Sequence, residues 1–275
     1  MKKLAVLGPK GTYSDIAARK YLNGNDEYEI EYYQSIIKAI NSVDDNTLAI
    51  VPFENTLDGF VFEALDSIIA KKLNIISQIK LDIDFAFCAN TNDINKVETV
   101  FSQFKAYGQC LDFINSHSFD VIKTESNIVS LNMLKDSGEN FGAIVPIHAI
   151  KNDEFPLEIL HIADSKENET RFFLVSKDKK EIAKKNNLEA SVLISSIIDR
   201  PGILFDILKV FHDYNINLKS ILSRPLKTKM GAYNFYLELS LKDIEFEALY
   251  ELVNNNNNNE YNITLLGIYE AIEWT

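Results

Sequence analysis

Short apolar runs and amphipathic stretches alternate along the first 176 residues of the chain. Residues 3–7 and 48–52 are apolar and β-rich, whereas apolar side chains in residues 14–22 and 61–71 recur at helical spacing. Short β-rich runs between amphipathic helices are typical of an α/β domain. The same patterns predict further strands at residues 28–32, 82–89, 98–101, 120–123, 142–145 and 171–176, and further helices at residues 35–43, 104–115 and 126–136.

Residues 75–89 form a long, apolar, β-rich run with no helical stripe. Such a run can carry the chain from one lobe of the domain into a second lobe, and the strand predicted at residues 171–176 can bring it back. Clefts between lobes are common ligand-binding sites. The pattern therefore predicts two lobes around a cleft.

The pattern changes after residues 177–185, which contain five lysines and little apolar content. Beyond this segment, strands and helices are predicted in the order βαββαβ, as in a ferredoxin-like unit. The strands fall at residues 191–198, 217–222, 232–239 and 264–269, and the helices at residues 203–214 and 245–253. We therefore predict a first domain over residues 1–176, a linker over residues 177–188 and a smaller domain over residues 189–275.

Charge and hydropathy narrow the class of protein. The 275 residues carry a formal net charge of −12, which argues against a nucleic-acid partner because phosphate binding depends on clustered Lys and Arg. An anionic substrate would need a locally positive pocket. No apolar stretch approaches the ~20 residues needed to span a bilayer, and the N-terminal apolar run is too short for a signal peptide. We expect a cytoplasmic protein with no membrane partner.

Cysteine and histidine spacing predicts neither a disulfide framework nor a metal site. Cys88 and Cys110 are the two cysteines, and each lies alone in an apolar run. Isolated cysteines in apolar runs are typical of buried, reduced thiols. The four histidines share no metal-ligand spacing. We expect no bound metal.

Two polar segments each follow a predicted strand and precede a predicted helix. In residues 8–14, two glycines allow close approach of a ligand, and the hydroxyls of Thr12 and Ser14 can cap the helix or bind that ligand. A helix N-terminus favours a carboxylate or phosphate, but the spacing matches no nucleotide-binding loop. Asn55 and Thr56 follow residues 48–52, at the strand end where open α/β sheets bind ligands. Either segment can also be only a helix cap.

A third segment, residues 168–173, begins the strand that returns to the first lobe. Arg171 offers a planar fork for a carboxylate. Thr170 can face the cleft, although a threonine at the start of a strand is more often structural.

Together and in this order, the three segments resemble the signature blocks of prephenate dehydratases. They are residues 8–14 (Gly-Pro-Lys-Gly-Thr-Tyr-Ser), 51–56 (Val-Pro-Phe-Glu-Asn-Thr) and 170–172 (Thr-Arg-Phe). The family pattern is Gly-Pro-x-Gly-Thr-Tyr/Phe-Ser, Val-Pro-Ile-Glu-Asn-Ser and Thr-Arg-Phe. Residues 199–204 and 216–225 in turn resemble an ACT domain, so the resemblance runs from end to end.

The resemblance implies a periplasmic-binding-protein-like catalytic domain of two α/β lobes, followed by a ferredoxin-like ACT domain. It implies a lyase that converts prephenate to phenylpyruvate, carbon dioxide and water without a cofactor. Thr170, Arg171 and Phe172 would be catalytic, with Thr170 donating a hydrogen bond or proton to the departing hydroxyl. The residues implied in substrate binding are Gly11, Thr12, Tyr13, Ser14, Asn55, Thr56, Ser126 and Asn127.

The ACT resemblance implies feedback by L-phenylalanine and a homodimer or homotetramer formed through the ACT domains. The residues implied in effector binding are Gly202, Ile203, Leu204, Asn217, Leu218, Leu222, Ser223, Arg224 and Pro225.

The chain departs from the family pattern at several positions. Gln103 and Phe104 stand where relatives often have His-Pro, and Asn127 replaces a threonine. In the second domain, Leu222 replaces a glutamate and Ile203 an alanine. Two other functions stay open, namely an arogenate dehydratase and a non-catalytic amino-acid sensor.

Overall fold

The computed structural model describes residues 1–151, 153–180, 182, 188–225, 233–241 and 245–273. The predicted linker, residues 177–188, lies partly outside these residues. Position 188 already belongs to a strand, and residue 232, predicted to begin another strand, also lies outside the described part of the chain.

The first lobe is a twisted sheet with three helices. Strand β1 is parallel to β2 and β3, whereas β11 is antiparallel to both β3 and β5. Hydroxyl side chains cap two of the helices, as Thr12 and Ser35 accept from backbone N–H groups of the first turn. The elements are β1 (Lys2–Leu7), α1 (Tyr13–Leu22), β2 (Tyr28–Tyr33), α2 (Ile36–Asn41), β3 (Thr47–Asn55), β4 (Gly59–Phe60), α3 (Phe62–Lys71), β5 (Asn74–Asp82) and β11 (Glu169–Ser176).

The second lobe is a five-stranded sheet in the order β10-β6-β9-β7-β8. Its elements are β6 (Phe85–Ala89), β7 (Thr99–Gln103), α4 (Phe104–Gly108), α5 (Leu111–His117), β8 (Asp120–Thr124), α6 (Asn127–Lys135), β9 (Phe141–Pro146) and β10 (Leu157–Leu160). The predicted crossing is confirmed, because β5 lies in the first sheet and β6 in the second. The sequence pattern missed the short edge strand β10. It also merged α4 and α5, which Gln109 and Cys110 separate.

The second domain has the predicted order βαββαβ and the ferredoxin-like strand order β13-β14-β12-β15. Strands β13 and β15 run longer than predicted. The elements are β12 (Leu188–Ser196), α7 (Ile203–Asp213), β13 (Asn217–Pro225), β14 (Tyr233–Leu241), α8 (Glu245–Asn255) and β15 (Tyr261–Glu273).

The sheets of the first lobe and of the second domain are continuous. The end of β15 pairs in parallel with β5, with Ala271 opposite Gln78. Aromatic side chains from both domains pack under this junction, and the Phe53 ring centroid lies 4.1 Å from that of Phe173 and 5.5 Å from that of Tyr236. The second domain is therefore packed against the first lobe rather than tethered to it.

Cys88 and Cys110 are free and buried, as predicted. Burial raises the pKa of the Cys88 thiol to about 12 and also raises the pKa of Cys110. Both thiols are therefore protonated near neutral pH. In the part of the chain that the structure describes, no helix combines the length and apolar character needed to cross a membrane.

Candidate active site

A cavity of about 410 Å³ lies between the two lobes of the first domain. The first turns of α1, α3, α4 and α6 border it, because each of these helices begins at the cleft-facing end of its sheet. Most of the residues predicted for catalysis and substrate binding meet here. Those lining the cavity are Thr12, Tyr13, Ser14, Asn55, Ser126, Asn127, Thr170 and Phe172.

Thr170 lies directly opposite Asn55 in the antiparallel pair of β11 and β3. The Asn55 Nδ2 donates to Thr170 Oγ1 at 2.9 Å, while the Asn55 Oδ1 accepts from the backbone N–H groups of Leu57 and Asp58, both at 3.0 Å. Backbone N–H groups can only donate, so they fix which end of the amide faces Thr170. The Thr170 hydroxyl thus accepts from Asn55, and within the described residues its own proton has no acceptor. That proton is available to a group in the cavity.

A chain of amides connects Thr170 to the second lobe. Asn55 Nδ2 also donates to Asn168 Oδ1 at 2.8 Å, and Asn168 Nδ2 donates to Gln109 Oε1 at 3.0 Å. Gln109 follows α4 of the second lobe and lines the cavity. This chain joins both lobes and limits the rotation of Asn55.

The first turn of α1 presents hydroxyls and backbone N–H groups to the cavity. Thr12 is the N-cap residue, and its Oγ1 accepts from Asp15 N at 3.4 Å. Ser14, the second residue of α1, is buried at 6% exposure and also lines the cavity. A helix N-terminus carries a partial positive charge that favours a bound anion.

Gly11 and Tyr13 hold the lobes against each other. Gly11 does not line the cavity; its φ is 87°, and a Cβ there would lie 2.9 Å from Ile128 Cδ1 of the second lobe. The Tyr13 hydroxyl donates to the Asp84 carbonyl at 2.7 Å and accepts from Asp84 N at 2.9 Å, in the segment that crosses between lobes. Burial raises the pKa of Tyr13, which is therefore a neutral hydrogen-bonding group.

The first turn of α6 faces the cavity from the second lobe. Ser126 caps this helix by accepting from Val129 N at 3.2 Å. Asn127 Oδ1 is shielded from solvent, and among the described residues it has no hydrogen-bond partner. An acceptor of this kind at a cavity wall is suited to a donor on a ligand.

The side-chain charge of the cavity is mixed. Lys105 lines it and places its Nζ 2.7 Å from Asp58 Oδ2. Glu63 and Glu125 line it as well. Because the lining side chains carry both signs of charge, the positive potential for an anion comes largely from the helix N-termini.

The sequence prediction omitted Gln103, Lys105 and Gln109, although all three line the cavity. In the sequence, this segment departs from the family pattern at its His-Pro. Its position after β7, directly before a short helix, was the available signal, since the same arrangement identified the other cavity segments.

Arg171 and Thr56 were predicted in the site, but the structure places neither at the cavity. Side chains alternate along a strand, so Arg171 points to the opposite face of β11 from Thr170 and contacts Glu54, Gln78 and Glu238. Thr56 joins the end of β3 to the segment before β11: its hydroxyl donates to the Glu167 carbonyl and accepts from Glu169 N, both at 3.0 Å.

The residues predicted for effector binding fall into separate groups. Gly202, with a φ of 84°, is the N-cap residue of α7, and Ile203 and Leu204 pack into the core of the second domain. Asn217 and Leu218 begin β13, while Ser223 and Pro225 lie at its other end. Leu222 packs against the junction with the first lobe. Arg224 crosses that junction, donating to both carboxylate oxygens of Asp66 in α3 at 3.2 and 2.8 Å.

Fold and cavity define a two-lobed α/β protein with an interlobe cavity and a C-terminal βαββαβ domain. The family model for prephenate dehydratase matches residues 4–180, and the model for the ACT domain matches residues 190–254. A curated prephenate dehydratase of Methanocaldococcus jannaschii is 34% identical over 268 residues, covering 96% of this chain and 97% of the relative. The chain belongs to the prephenate dehydratase family and carries an ACT domain.

Solved structures have the same architecture. The prephenate dehydratase of Staphylococcus aureus superposes with a TM-score of 0.80 at 29% identity, covering 98% of this chain and all of the other. A prephenate dehydratase of Arthrobacter aurescens in complex with L-Phe gives a TM-score of 0.78 at 23% identity, covering 98% and 90%. The two-lobed domain followed by an ACT domain is therefore a shared fold.

Proposed function

We propose that this protein converts prephenate to phenylpyruvate, carbon dioxide and water, with Thr170 acting on the departing hydroxyl. The observation that carries the proposal is the orientation of Thr170. Its oxygen accepts from Asn55, and its proton is free to enter the cavity. Family membership supports the choice of substrate.

The reaction needs little chemistry from the protein. The bond between the ring and its carboxylate breaks, the electron pair enters the ring, and the ring carbon–oxygen bond breaks as the hydroxyl leaves. The leaving oxygen takes a proton from Thr170, which regains one from solvent. A threonine hydroxyl is a weak acid, so positioning and stabilisation of developing charge contribute more than acidity, and aromatisation drives the step forward.

The two lobes can share the two carboxylates of prephenate. The first turn of α1 faces the cavity from one lobe and the first turn of α6 from the other. Each supplies backbone N–H groups and polar side chains, including Ser14 and Asn127. Binding between the lobes also removes water from the leaving hydroxyl and strengthens its interaction with Thr170.

Replacing Thr170 tests the proposal. Thr170→Val keeps the shape of the side chain but removes the hydroxyl, and we expect phenylpyruvate formation to fall by about a hundredfold or more. Thr170→Ser restores the hydroxyl and should recover most of the turnover. Near-normal turnover of Thr170→Val would refute the role of Thr170. Binding of prephenate without any conversion by the unaltered protein would instead favour a non-catalytic sensor.

We also propose that L-phenylalanine binds the ACT domain and regulates the enzyme, and that the domain mediates a homodimer or homotetramer. The relative from Arthrobacter aurescens that was solved with L-Phe supports this proposal. Calorimetry with phenylalanine and light scattering with and without it would measure binding and assembly. Absence of binding would show that Ile203 and Leu222 have altered the effector site.

One observation favours arogenate as a second candidate substrate. Asn127 Oδ1 is an unpartnered acceptor at the cavity wall. An ammonium group, which arogenate carries and prephenate lacks, could donate to it. Comparing kcat/KM for the two substrates in the unaltered protein and in Asn127→Thr decides between them. A preference for arogenate that disappears in the variant would support this reading.

A further inference from the structure

Strands β3 and β11 place two side-chain pairs back to back. Thr170 lies opposite Asn55, and the next pair along the same two strands is Arg171 opposite Glu54. Successive side chains of a strand point to opposite faces of the sheet. The first pair therefore faces the substrate cavity, and the second pair faces the ACT domain. A shift of the backbone that moves one pair also moves the other.

Arg171 is held by groups from three strands. Its Nε donates to Glu54 Oε2 at 2.7 Å, and its Nη1 donates to Gln78 Oε1 of β5 at 3.1 Å. Its Nη2 donates to both carboxylate oxygens of Glu238 at 3.0 and 2.9 Å. Arg171 is 7% exposed and Glu238 only 1%. Buried, charge-assisted hydrogen bonds of this kind fix geometry strongly.

Glu238 belongs to the ACT domain, so the guanidinium bridges the two domains. The Tyr236 hydroxyl donates to Glu238 at 3.1 Å and orients it within the ACT sheet. Ser220 of β13 lies opposite Glu238. Strand β13 also contains Asn217 and Arg224, two of the residues predicted for effector binding. A polar cavity of about 310 Å³ adjoins the bridge, which leaves room for the side chains to rearrange.

We infer that Arg171 is a positioning residue: through Glu54 it fixes the Asn55–Thr170 pair, and through Glu238 it makes that pair depend on the state of the ACT domain. The inference rests on the proposed function of Thr170. It gives the arginine of the Thr-Arg-Phe segment a role without substrate contact. It also provides a short path between the effector domain and the reacting group: the ion pair of Glu238 with Arg171, and then the peptide bond between Arg171 and Thr170.

Kinetics of Glu238→Gln in the full-length protein test this inference. The variant keeps the side-chain shape but removes the charge with which Glu238 pairs with Arg171, while Glu54 remains. We expect kcat for prephenate to fall by about tenfold, because small displacements of a catalytic group cost rate, with KM within about twofold of normal because substrate contacts are unchanged. Glu260→Gln is the control: Glu260 pairs with an arginine as well, but this arginine is Arg200 of the ACT domain itself, and within the described residues the pair has no hydrogen bond to the first domain. It should leave kcat and KM unchanged.

A double-mutant cycle separates positioning from general destabilisation. If Arg171 acts through Thr170, Glu238→Gln should not slow the residual turnover of Thr170→Ala any further. An equal loss in both backgrounds, or a normal kcat for Glu238→Gln, would overturn the inference while leaving the role of Thr170 intact. Near-normal turnover of Thr170→Ala alone would refute the proposed function itself.

Arg171→Lys provides a second variant if Glu238→Gln does not fold. Lysine keeps the positive charge but cannot donate to Glu54, Gln78 and Glu238 together. The expected result is again a loss of kcat with KM preserved, in a protein whose thermal midpoint shows that it is folded. Full kcat in a folded Arg171→Lys protein would contradict the inference.

Discussion

Gly267 of β15 crosses Ile75 of β5 so closely that a Cβ on Gly267 would lie 1.9 Å from the Ile75 carbonyl oxygen. A distance this short is excluded by atomic overlap, and the neighbouring atom belongs to backbone that a rotamer change cannot move. The contact lies just before β15 pairs with β5. The close join between the ACT sheet and the first lobe therefore requires glycine at this position.

We expect Gly267→Ala to destabilise the protein by about 3 kcal/mol or more, because the strands must separate to admit the methyl group. Urea unfolding measures the change. Gly108→Ala is the control, since a Cβ there would meet no atom within 4 Å. Its stability should be unchanged or slightly higher. Equal stability of the two variants would contradict the role of Gly267 in the junction.

Asn55→Asp should abolish most turnover. A carboxylate at this position can only accept, so the Thr170 proton would turn toward it and away from the cavity. We expect kcat to fall by about a hundredfold, with a smaller effect on KM. Asn90→Asp offers a comparison in the second lobe, because Asn90 donates to the carbonyls of Leu134 and Ser137 outside the cavity. It should lower stability without a comparable loss of kcat.

Asp15 should contribute stability that is lost in acid. Burial by itself raises the pKa of Asp15, but hydrogen bonds from Tyr32 and Gly11 and the ion pair with Arg19 outweigh burial and lower it below its ordinary value of 3.8. A carboxylate with a lowered pKa stabilises the fold above its ordinary value, and this contribution disappears as pH falls through the lowered value.

Asp15→Asn should therefore lower the free energy of unfolding near neutral pH by about 1–3 kcal/mol. The difference between the two proteins should shrink below a pH of about 4, where the unfolded carboxylate becomes protonated. Urea unfolding across this range measures it. A difference that stayed constant into strong acid would contradict the assignment.

If phenylalanine regulates the enzyme as proposed, Asp66→Asn should weaken that response while preserving basal turnover. Arg224 of β13 donates to Asp66 and lies over the Phe62 ring, with its Cζ 4.2 Å from the centroid. Phe62 and Asp66 belong to α3, which borders the cavity at Glu63. Losing this contact should raise the phenylalanine concentration for half-maximal effect several-fold, in line with a coupling of about 1 kcal/mol.

Inhibition curves measured at a fixed prephenate concentration would show the shift. Asp213→Asn, which removes an exposed ion pair with Lys209 at the end of α7, is the control and should respond as the unaltered protein does. An unchanged response in Asp66→Asn would show that Arg224 carries no coupling.

Local patterning determined much of the molecule. The period of apolar residues predicted the alternating elements, the crossing between lobes and the βαββαβ unit. Strand–turn–helix segments with small polar residues singled out Ser14 and Asn55 as candidates, and the resemblance to the three family blocks predicted that they share a site with Thr170. These signals are local because a strand end followed by a helix cap is encoded within about ten residues.

Tertiary structure decided which faces meet. The resemblance to the Thr-Arg-Phe block grouped Arg171 with Thr170, but side chains alternate along β11, so Thr170 faces the cavity and Arg171 contacts Glu238. Gln109 joins the site through Asn168, a partner far away in the chain. Nothing in the sequence distinguishes Gly267 from the other glycines, and only the packing of β15 against β5 shows that a side chain there would overlap Ile75. Residues that meet through packing leave no periodic pattern in the sequence, so only the folded chain shows that neighbouring residues of β11 face the cavity and the ACT domain.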